Sequence, residues 1–144
     1  MSRLSVNEFP QGAFSDEIVL KPNDFTGTTA AAETIEYAIP AGTAIVGCGV
    51  NVVTPFSGAS LSAVSLDVGD ATVDADGYID AMNIFTGGDT FAYNSGDLLD
   101  GTTSNFLLKT AADTIDILVT PSGDGLADAT AGEVKISFAL VRLG

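Results

Sequence analysis

The residues of this chain with the clearest spacing for chemistry are the carboxylates of the segment DADGYID, residues 74–80. Alternating acids around a glycine resemble part of a calcium loop, because Ca²⁺ is held by carboxylate and carbonyl oxygens. In the register of an EF-hand, the first ligand would be Thr72 and the bidentate acid would be Asn83, so both of these ligands are missing. We therefore expect an acidic hairpin turn and no bound metal. The alternative is a calcium site of another geometry, formed by Asp67, Asp70, Asp74, Asp76 and Asp80.

Other residue types that support catalysis are scarce. The chain contains no histidine, which excludes Ser-His and Cys-His nucleophile pairs, and one cysteine without histidine cannot form a tetrahedral zinc site. Cys48 falls on the apolar side of a strand pattern, so we expect a buried hydrophobic residue. The sequence has no glycine-rich phosphate-binding loop. We expect no enzyme activity and no cofactor; the alternative is a hydrolase with a carboxylate pair, although no spacing singles out such a pair.

The charge of the chain excludes two classes of partner. Its formal net charge is −14, and Lys109 is the only basic residue between Asp67 and Glu133. A protein that binds a nucleic-acid duplex places several cations on phosphates, so we expect no nucleic-acid partner. An anionic membrane surface would repel the chain for the same reason, and its apolar runs are far shorter than the ~20 residues of a membrane helix. We expect no membrane partner.

The N-terminal residues show no charged region followed by an apolar core and a cleavage site, so we expect no signal peptide. A single cysteine allows no disulfide within the chain. This fits assembly in a reducing compartment.

The hydrophobic pattern from Phe14 onward is that of an all-β protein. Apolar and polar residues alternate with a period of two, in segments that end at turns containing glycine or proline. About eight to ten such segments, without a βαβ rhythm, are typical of a sandwich or barrel. A chain of 144 residues fits one domain. We predict a single-domain, antiparallel, jelly-roll-like β-sandwich over residues 14–144, preceded by an extended N-terminal arm of residues 1–13.

The clearest strand pattern spans residues 46–53. The side that we expect to face the core consists of Val46, Cys48, Val50 and Val52. The other side is small or polar and consists of Gly47, Gly49 and Asn51. Small side chains let another backbone or a subunit approach closely, so this second side is a candidate partner interface. The arm is a further candidate through Arg3, Leu4, Val6 and Phe9; the alternative is that the arm covers a sheet edge.

The order of turns and strands from Ile39 to the C-terminus resembles the small virion proteins of tailed bacteriophages. The residues that carry this resemblance are the turn Ile39-Pro-Ala-Gly-Thr43, the strand 46–53, Phe56 with the Gly58 turn, Val68-Gly-Asp70, Asp76-Gly-Tyr78, Thr86-Gly-Gly88, Asp113-Thr-Ile115 and the closing run 132–143. The pattern is one of turns and alternation. Residues 1–38 lie outside it.

This resemblance implies a β-sandwich module that decorates or cements a capsid, or that forms a head fibre. The function it implies is that of a non-enzymatic decoration protein, which stabilises the shell by bridging major capsid proteins. It also implies a homotrimer at the capsid surface of the virion, assembled in the host cytoplasm, with the acidic region from Asp67 to Asp100 facing solvent. The alternatives are a tail, neck or fibre module, and a calcium- or carbohydrate-binding adhesion domain.

Overall fold

A computed structural model describes residues 14–99 and 107–142, so the predicted arm of residues 1–13 lies outside the described residues. Within them, the chain forms nine strands and two short 3₁₀ helices, at Pro22–Asp24 and Leu126–Asp128. The strands are β1 (Asp16–Leu20), β2 (Glu33–Ile39), β3 (Thr43–Ser57), β4 (Ala63–Asp70), β5 (Asp74–Asn83), β6 (Phe91–Tyr93), β7 (Leu107–Lys109), β8 (Asp113–Ser122) and β9 (Ala131–Arg142). No described helix is long and apolar enough to cross a membrane.

The strands pair into two antiparallel sheets. The order is β1-β9-β3-β6 in the first sheet, with β7 also paired to β3, and β2-β8-β4-β5 in the second. β6 and β7 lie along the same edge of β3, since Phe91–Tyr93 is opposite residues 49–51 and Leu107–Lys109 is opposite residues 43–45. They act as one interrupted strand, which gives the two sheets the eight-strand arrangement of a jelly roll. The predicted all-β, jelly-roll-like sandwich is confirmed.

The core lies between the sheets and follows the alternation of the sequence. Cys48 and Val50 of β3 are opposite Phe138 and Ile136 of β9, and all four side chains are at most 1% exposed. The second sheet contributes the buried residues Val64, Leu66, Val68, Ile115, Ile117 and Val119. Burying one such side chain contributes about 1.5–3 kcal/mol, so the alternation decides which face of each strand turns inward. The prediction that Cys48 is buried is confirmed, and this burial raises the pKa of its thiol.

One residue of β3 departs from the predicted alternation. The sequence places Val46 on the core side with Cys48, but Val46 is 37% exposed and Ile45 is 0% exposed. The cause is a register shift between Ile45 and Gly47, where β3 pairs with β9. A β-bulge adds one unpaired residue to a strand and shifts the alternation by one position, so the prediction for Val46 is wrong.

The hairpin between β4 and β5 is acidic, as expected, but its turn lies elsewhere. Asp70 pairs with Asp74 across a turn at residues 71–73, whereas the sequence predicts a turn at Asp76-Gly77. Gly77 is a buried residue within β5. A Cβ atom on it would lie 2.4 Å from Cδ1 of Leu98, so this glycine serves close packing and not a turn.

The segment after β6 connects the two sheets. Asn94 remains bound to β3, because its N–H donates to the carbonyl of Cys48 at 2.9 Å and its Oδ1 accepts the Cys48 N–H at 2.8 Å. The chain then reaches the second sheet, where the N–H of Leu98 donates to the carbonyl of Gly77 at 2.8 Å. These contacts close the side of the sandwich between β6 and β5.

Candidate interface and acidic cluster

The outer face of the first sheet consists of small, aromatic and a few charged or polar residues. The strand registers place on it Glu17, Val19, Gly47, Gly49, Asn51, Phe91, Tyr93, Lys135 and Ser137. Residues directly opposite each other on paired strands point to the same side of a sheet, which defines this set. The structure thus brings three of the predicted interface residues together on one face. The other four candidates lie outside the described residues and are Arg3, Leu4, Val6 and Phe9.

Two glycines of this face lie beneath aromatic rings of the same chain. A Cβ atom on Gly49 would lie 3.4 Å from Cζ of Phe14 and 3.6 Å from Cδ2 of Tyr93. A Cβ atom on Gly47 would lie 3.4 Å from the hydroxyl of Tyr93. Phe14 and Tyr93 themselves pack edge to face, with ring centroids 5.8 Å apart. Because Gly47 and Gly49 have no Cβ atom, the rings of Phe14 and Tyr93 lie close to β3. These two rings cover this part of the face.

The aromatic part of this face, along β6, is exposed. Phe91 is 65% exposed and Tyr93 is 48% exposed, which is unusual for rings that bury well in a core or an interface. Neither residue is among the sequence-predicted candidates. The signal for them is the alternation Phe91-Ala-Tyr93, which puts two aromatic residues on the same side of a strand.

The outer face of the second sheet has a different character. On it, Glu36 is opposite Asp116 and Ser65 is opposite Thr120. Asp67 also lies there, opposite Leu118. The sandwich is therefore two-sided, with aromatic and small residues on one outer face and carboxylates and hydroxyls on the other.

The acidic cluster comprises Asp67, Asp76 and Asp80, whose carboxylate oxygens lie within 4.8 Å of one another. A bulge between β4 and β5 accompanies it. Ala81 at this bulge has a φ of 46°, and its N–H donates to Oδ1 of Asp67 at 2.8 Å. Three carboxylates are chemically suited to a hard cation such as Ca²⁺, which takes six to eight oxygen ligands. The structure gathers three of the five sequence-predicted ligands, and these three supply only part of such a shell.

Two carboxylates in or beside this cluster, those of Asp80 and Asp74, have a raised pKa. The pKa of Asp80 lies above its usual 3.8, first because neighbouring atoms partly desolvate this exposed carboxylate and then because of the negative charges of Asp76 and Asp67. The pKa of Asp74 is also raised, chiefly by its side-chain hydrogen bond with Asp76. Burial and neighbouring negative charge both disfavour an ionised carboxylate, so at neutral pH the cluster stores electrostatic repulsion.

Asp70 is separate from this cluster and has a structural role. It is 1% exposed and forms an ion pair with Lys109. Its Oδ1 accepts hydrogen bonds from the N–H and the hydroxyl of Thr72, at 2.9 and 2.7 Å. Lys109 also donates to Asp113 at 2.7 Å, and this hydrogen bond lowers the pKa of Asp113 below 3.8. Asp70 is therefore bound within the fold and is not placed to share a cation with Asp67.

A cleft of about 280 Å³ lies between β1, an edge strand of the first sheet, and β2, an edge strand of the second. Its lining includes Asp16, Tyr37 and Arg142, and the hydroxyl of Tyr37 donates to Asp16. This hydrogen bond is the main reason that the pKa of Tyr37 is raised. No sequence-predicted site residue lines the cleft, and its volume is at the lower limit of ordinary ligand sites.

No protein-family model matches the chain, and no curated protein matches its sequence. Three solved structures that resemble it are phage capsid structures. A chain of the cyanophage Pam1 capsid asymmetric unit has a TM-score of 0.59 and 19% sequence identity, over 89% of this chain and 82% of that chain. A chain of the capsid of Ralstonia phage GP4 has a TM-score of 0.47 and 17% identity, over 99% and 90% of the two chains. A chain of the acid-stable capsid of Helicobacter pylori bacteriophage KHP30 has a TM-score of 0.40 and 11% identity, over 90% and 99%.

Proposed function

We propose that this chain is a structural protein of a phage virion, and more closely a capsid decoration or cement protein that binds the major capsid protein. The observation that carries the proposal is the fold, which the chain shares over 89% of its length with a chain of the cyanophage Pam1 capsid asymmetric unit. The sequence pattern from Ile39 onward supports the same role. The proposal includes no catalytic step, in keeping with the absence of histidine from the chain.

The two-sided sandwich suggests how the protein lies on a shell. The outer face of the first sheet would meet the partner, because it carries the exposed rings of Phe91 and Tyr93. Burying the exposed part of Phe91 would contribute about 3 kcal/mol at ~25 cal/mol per Å². The outer face of the second sheet, with Glu36 and Asp67, would face solvent, because removing carboxylates from water is costly unless they are paired.

The proposed mechanism is mechanical and follows from mass action. A protein that binds across joints between major capsid proteins binds the assembled shell and not the free subunit. Binding to one state alone stabilises that state, by an amount that grows with the concentration of the ligand relative to its Kd. The same proposal includes three further features, namely assembly in the host cytoplasm, a position on the capsid surface and a homotrimeric state. The resemblance to phage virion proteins supports these three features.

A second candidate function is a calcium-dependent or carbohydrate-binding adhesion domain, and tail, neck or fibre modules are further structural alternatives. The observation that favours the adhesion domain is the convergence of Asp67, Asp76 and Asp80. Calorimetry with CaCl₂ tests the calcium-dependent version, because a decoration protein without a metal site gives no binding heat.

The leading proposal is tested with shells of the cognate major capsid protein. The purified protein should cosediment with them to a saturating, fixed stoichiometry, and it should raise the temperature at which the shells dissociate. If it neither cosediments nor changes the dissociation temperature, the decoration role is wrong. The stoichiometry also tests the trimer, since three copies should bind at each site.

A further inference from the structure

The two sides of the sandwich, where edge strands of the two sheets meet, differ in how they are closed. On one side the chain crosses from β6 to β5, where the N–H of Leu98 donates to the carbonyl of Gly77. On the other side, β1 and β2 are the edge strands, and no described strand pairs with the free edge of either. The hydroxyl of Tyr37 on β2 donates to Asp16 on β1, so these two edges are adjacent. An edge of this kind is a template for pairing with another chain.

β2 lacks the features that usually prevent pairing at an edge. It has seven residues without proline, and its register against β8 shows no bulge. A charged side chain that points inward also protects an edge. The carboxylate of Glu33 is not free to do so, because it accepts the N–H groups of Thr26 and Gly27 at 3.0 and 3.1 Å. The inward side chains that follow it, Ile35 and Tyr37, are uncharged.

The inward side of this edge is apolar and incompletely covered. Ile35 and Tyr37 of β2 pack against the core together with Ile18 of β1, and all three are only partly buried. Their partners on β8, Ile117 and Ile115, are 0% exposed. The cleft of about 280 Å³ opens at the same place, between β1 and β2. An apolar side chain on an added strand would therefore bury apolar surface here, which favours association.

The charged residues of the two edge strands are all acidic. They are Asp16 and Glu17 on β1 and Glu33 and Glu36 on β2. Among the described residues that line the cleft beside them, Arg142 is the one basic residue. A second copy of either strand would bring further carboxylates to this edge, and the whole chain has a net charge of −14. Charge complementarity therefore favours a basic partner over a second copy.

We propose that the free edge of β2 binds an extended segment of a partner protein, in which apolar and basic residues alternate. The segment adds a strand to the second sheet, and its backbone forms hydrogen bonds with that of β2. Successive side chains of a strand point to opposite faces. The apolar side chains of the segment therefore cover Ile35 and Tyr37, and its basic side chains lie beside Glu36. This edge is separate from the outer face of the first sheet, and the inference does not require the decoration role.

Peptide binding to the full chain tests the proposal. The probe is a peptide of alternating lysine and valine, matched in length to the seven residues of β2. One control peptide alternates glutamate and valine, and another is the lysine–valine peptide with every backbone nitrogen methylated, which removes its hydrogen-bond donors. We expect saturable binding of the unmodified lysine–valine peptide alone, with slower hydrogen exchange of the β2 amides. No saturable binding, or equal binding of the methylated peptide, would overturn the proposal.

Two charge reversals locate the bound peptide. Glu36→Lys places a cation beside the proposed strand, and the matched control Asp80→Lys makes the same change on β5, the opposite edge strand of the same sheet. Glu36→Lys should weaken binding of the lysine–valine peptide about tenfold, because like charges on neighbouring strands repel, and it should strengthen binding of the glutamate–valine peptide. Asp80→Lys should bind both peptides like the parent. Equal effects of the two reversals would exclude β2 as the site. If sizing instead shows a dimer whose formation protects the β2 amides, the occupant is a second copy and the proposal is wrong.

Discussion

The ammonium of Lys109 on β7 lies against the carboxylate of Asp70 at the end of β4, and this buried ion pair ties the first sheet to the second. Lys109 is 8% exposed and Asp70 is 1% exposed. Asp113 on β8 accepts a second hydrogen bond from the same ammonium. Lys109 is the only basic residue between Asp67 and Glu133, so the cation of this acidic region serves the fold and is not available to a partner.

Replacing this lysine should be strongly destabilising. Lys109→Met leaves the carboxylate of Asp70 buried without its cation, and removing one partner of a buried pair costs about 3–5 kcal/mol. The matched control is Lys21→Met, because Lys21 pairs with Glu133 at 3.3 Å on the surface and such pairs contribute about 0–1 kcal/mol. Urea unfolding of both variants measures the difference. Similar losses in the two variants would contradict a structural role for the Lys109 pair.

The hydroxyl of Tyr78 gives an opposite prediction. Tyr78 is 0% exposed, and its hydroxyl has no hydrogen-bond partner among the described residues. Tyr78→Phe should therefore leave the free energy of unfolding unchanged or raise it by about 1 kcal/mol, because an unsatisfied buried polar group is removed. Tyr37→Phe, which removes the hydrogen bond to Asp16, should instead lower it by about 1 kcal/mol. A clear loss of stability in Tyr78→Phe, measured by thermal and urea unfolding, would show that the hydroxyl has a partner.

The acidic cluster predicts an unusual dependence of stability on pH. The pKa of Asp80 is above 3.8 in the folded protein, so the folded state binds this proton more tightly than the unfolded state does. Its contribution to stability is therefore complete below pH 3.8 and is lost as the pH rises through the folded pKa. Asp113 acts in the opposite sense, because its folded pKa lies below 3.8 and its contribution is lost as the pH falls through that lower value.

The variant Asp80→Asn isolates the cluster from the other titrating groups. It should be more stable than the parent at pH 7 and should show a smaller gain in stability on acidification toward pH 3.8, because the repulsion is already absent. Glu36→Gln makes the same change of charge on the outer face of the second sheet. Melting temperatures across the pH range compare the two. If Asp80→Asn has the same pH profile as Glu36→Gln, the repulsion assigned to the cluster is absent.

For calcium, we expect no binding heat and no shift in melting temperature on addition of CaCl₂. The cluster supplies three carboxylates, and Asp67 Oδ1 already accepts the Ala81 N–H. The raised pKa of Asp80 reflects desolvation and neighbouring negative charge, which need no ion. Saturable heat that disappears in Asp76→Asn would contradict this expectation and would favour the adhesion domain.

The alternation of apolar residues was sufficient to predict the class of fold, because each strand buries one side against a single core. It was not sufficient at Val46, where a bulge shifts the alternation by one position. A bulge depends on the pairing of β3 with β9, which are about 90 residues apart in the sequence, and local periodicity does not contain that information. The same limit applies to Gly77. A residue without a side chain is needed there because Leu98 packs against it, and the chain does not turn at this position.

Only part of the outer face of the first sheet could be predicted from the sequence, for a related reason. Gly47, Gly49 and Asn51 share a face through local alternation alone. Phe91 joins them only through the pairing of β6 with β3, so its place beside Asn51 follows from the topology. The sequence alone could not show that Asp70 has a structural role unlike that of the other aspartates, because its partner Lys109 lies on a distant strand.

The most direct test of the docking account compares two exposed apolar residues as serine variants in binding to cognate shells. Phe91 is 65% exposed on the outer face of the first sheet, and Val73 is 59% exposed at the turn between β4 and β5. Both substitutions should leave the melting temperature of the free protein nearly unchanged. The account predicts that Phe91→Ser weakens shell binding by at least about 30-fold, the size expected for an aromatic anchor, and that Val73→Ser binds like the parent. Parental affinity in Phe91→Ser, or an equal loss in Val73→Ser, would contradict docking through this face.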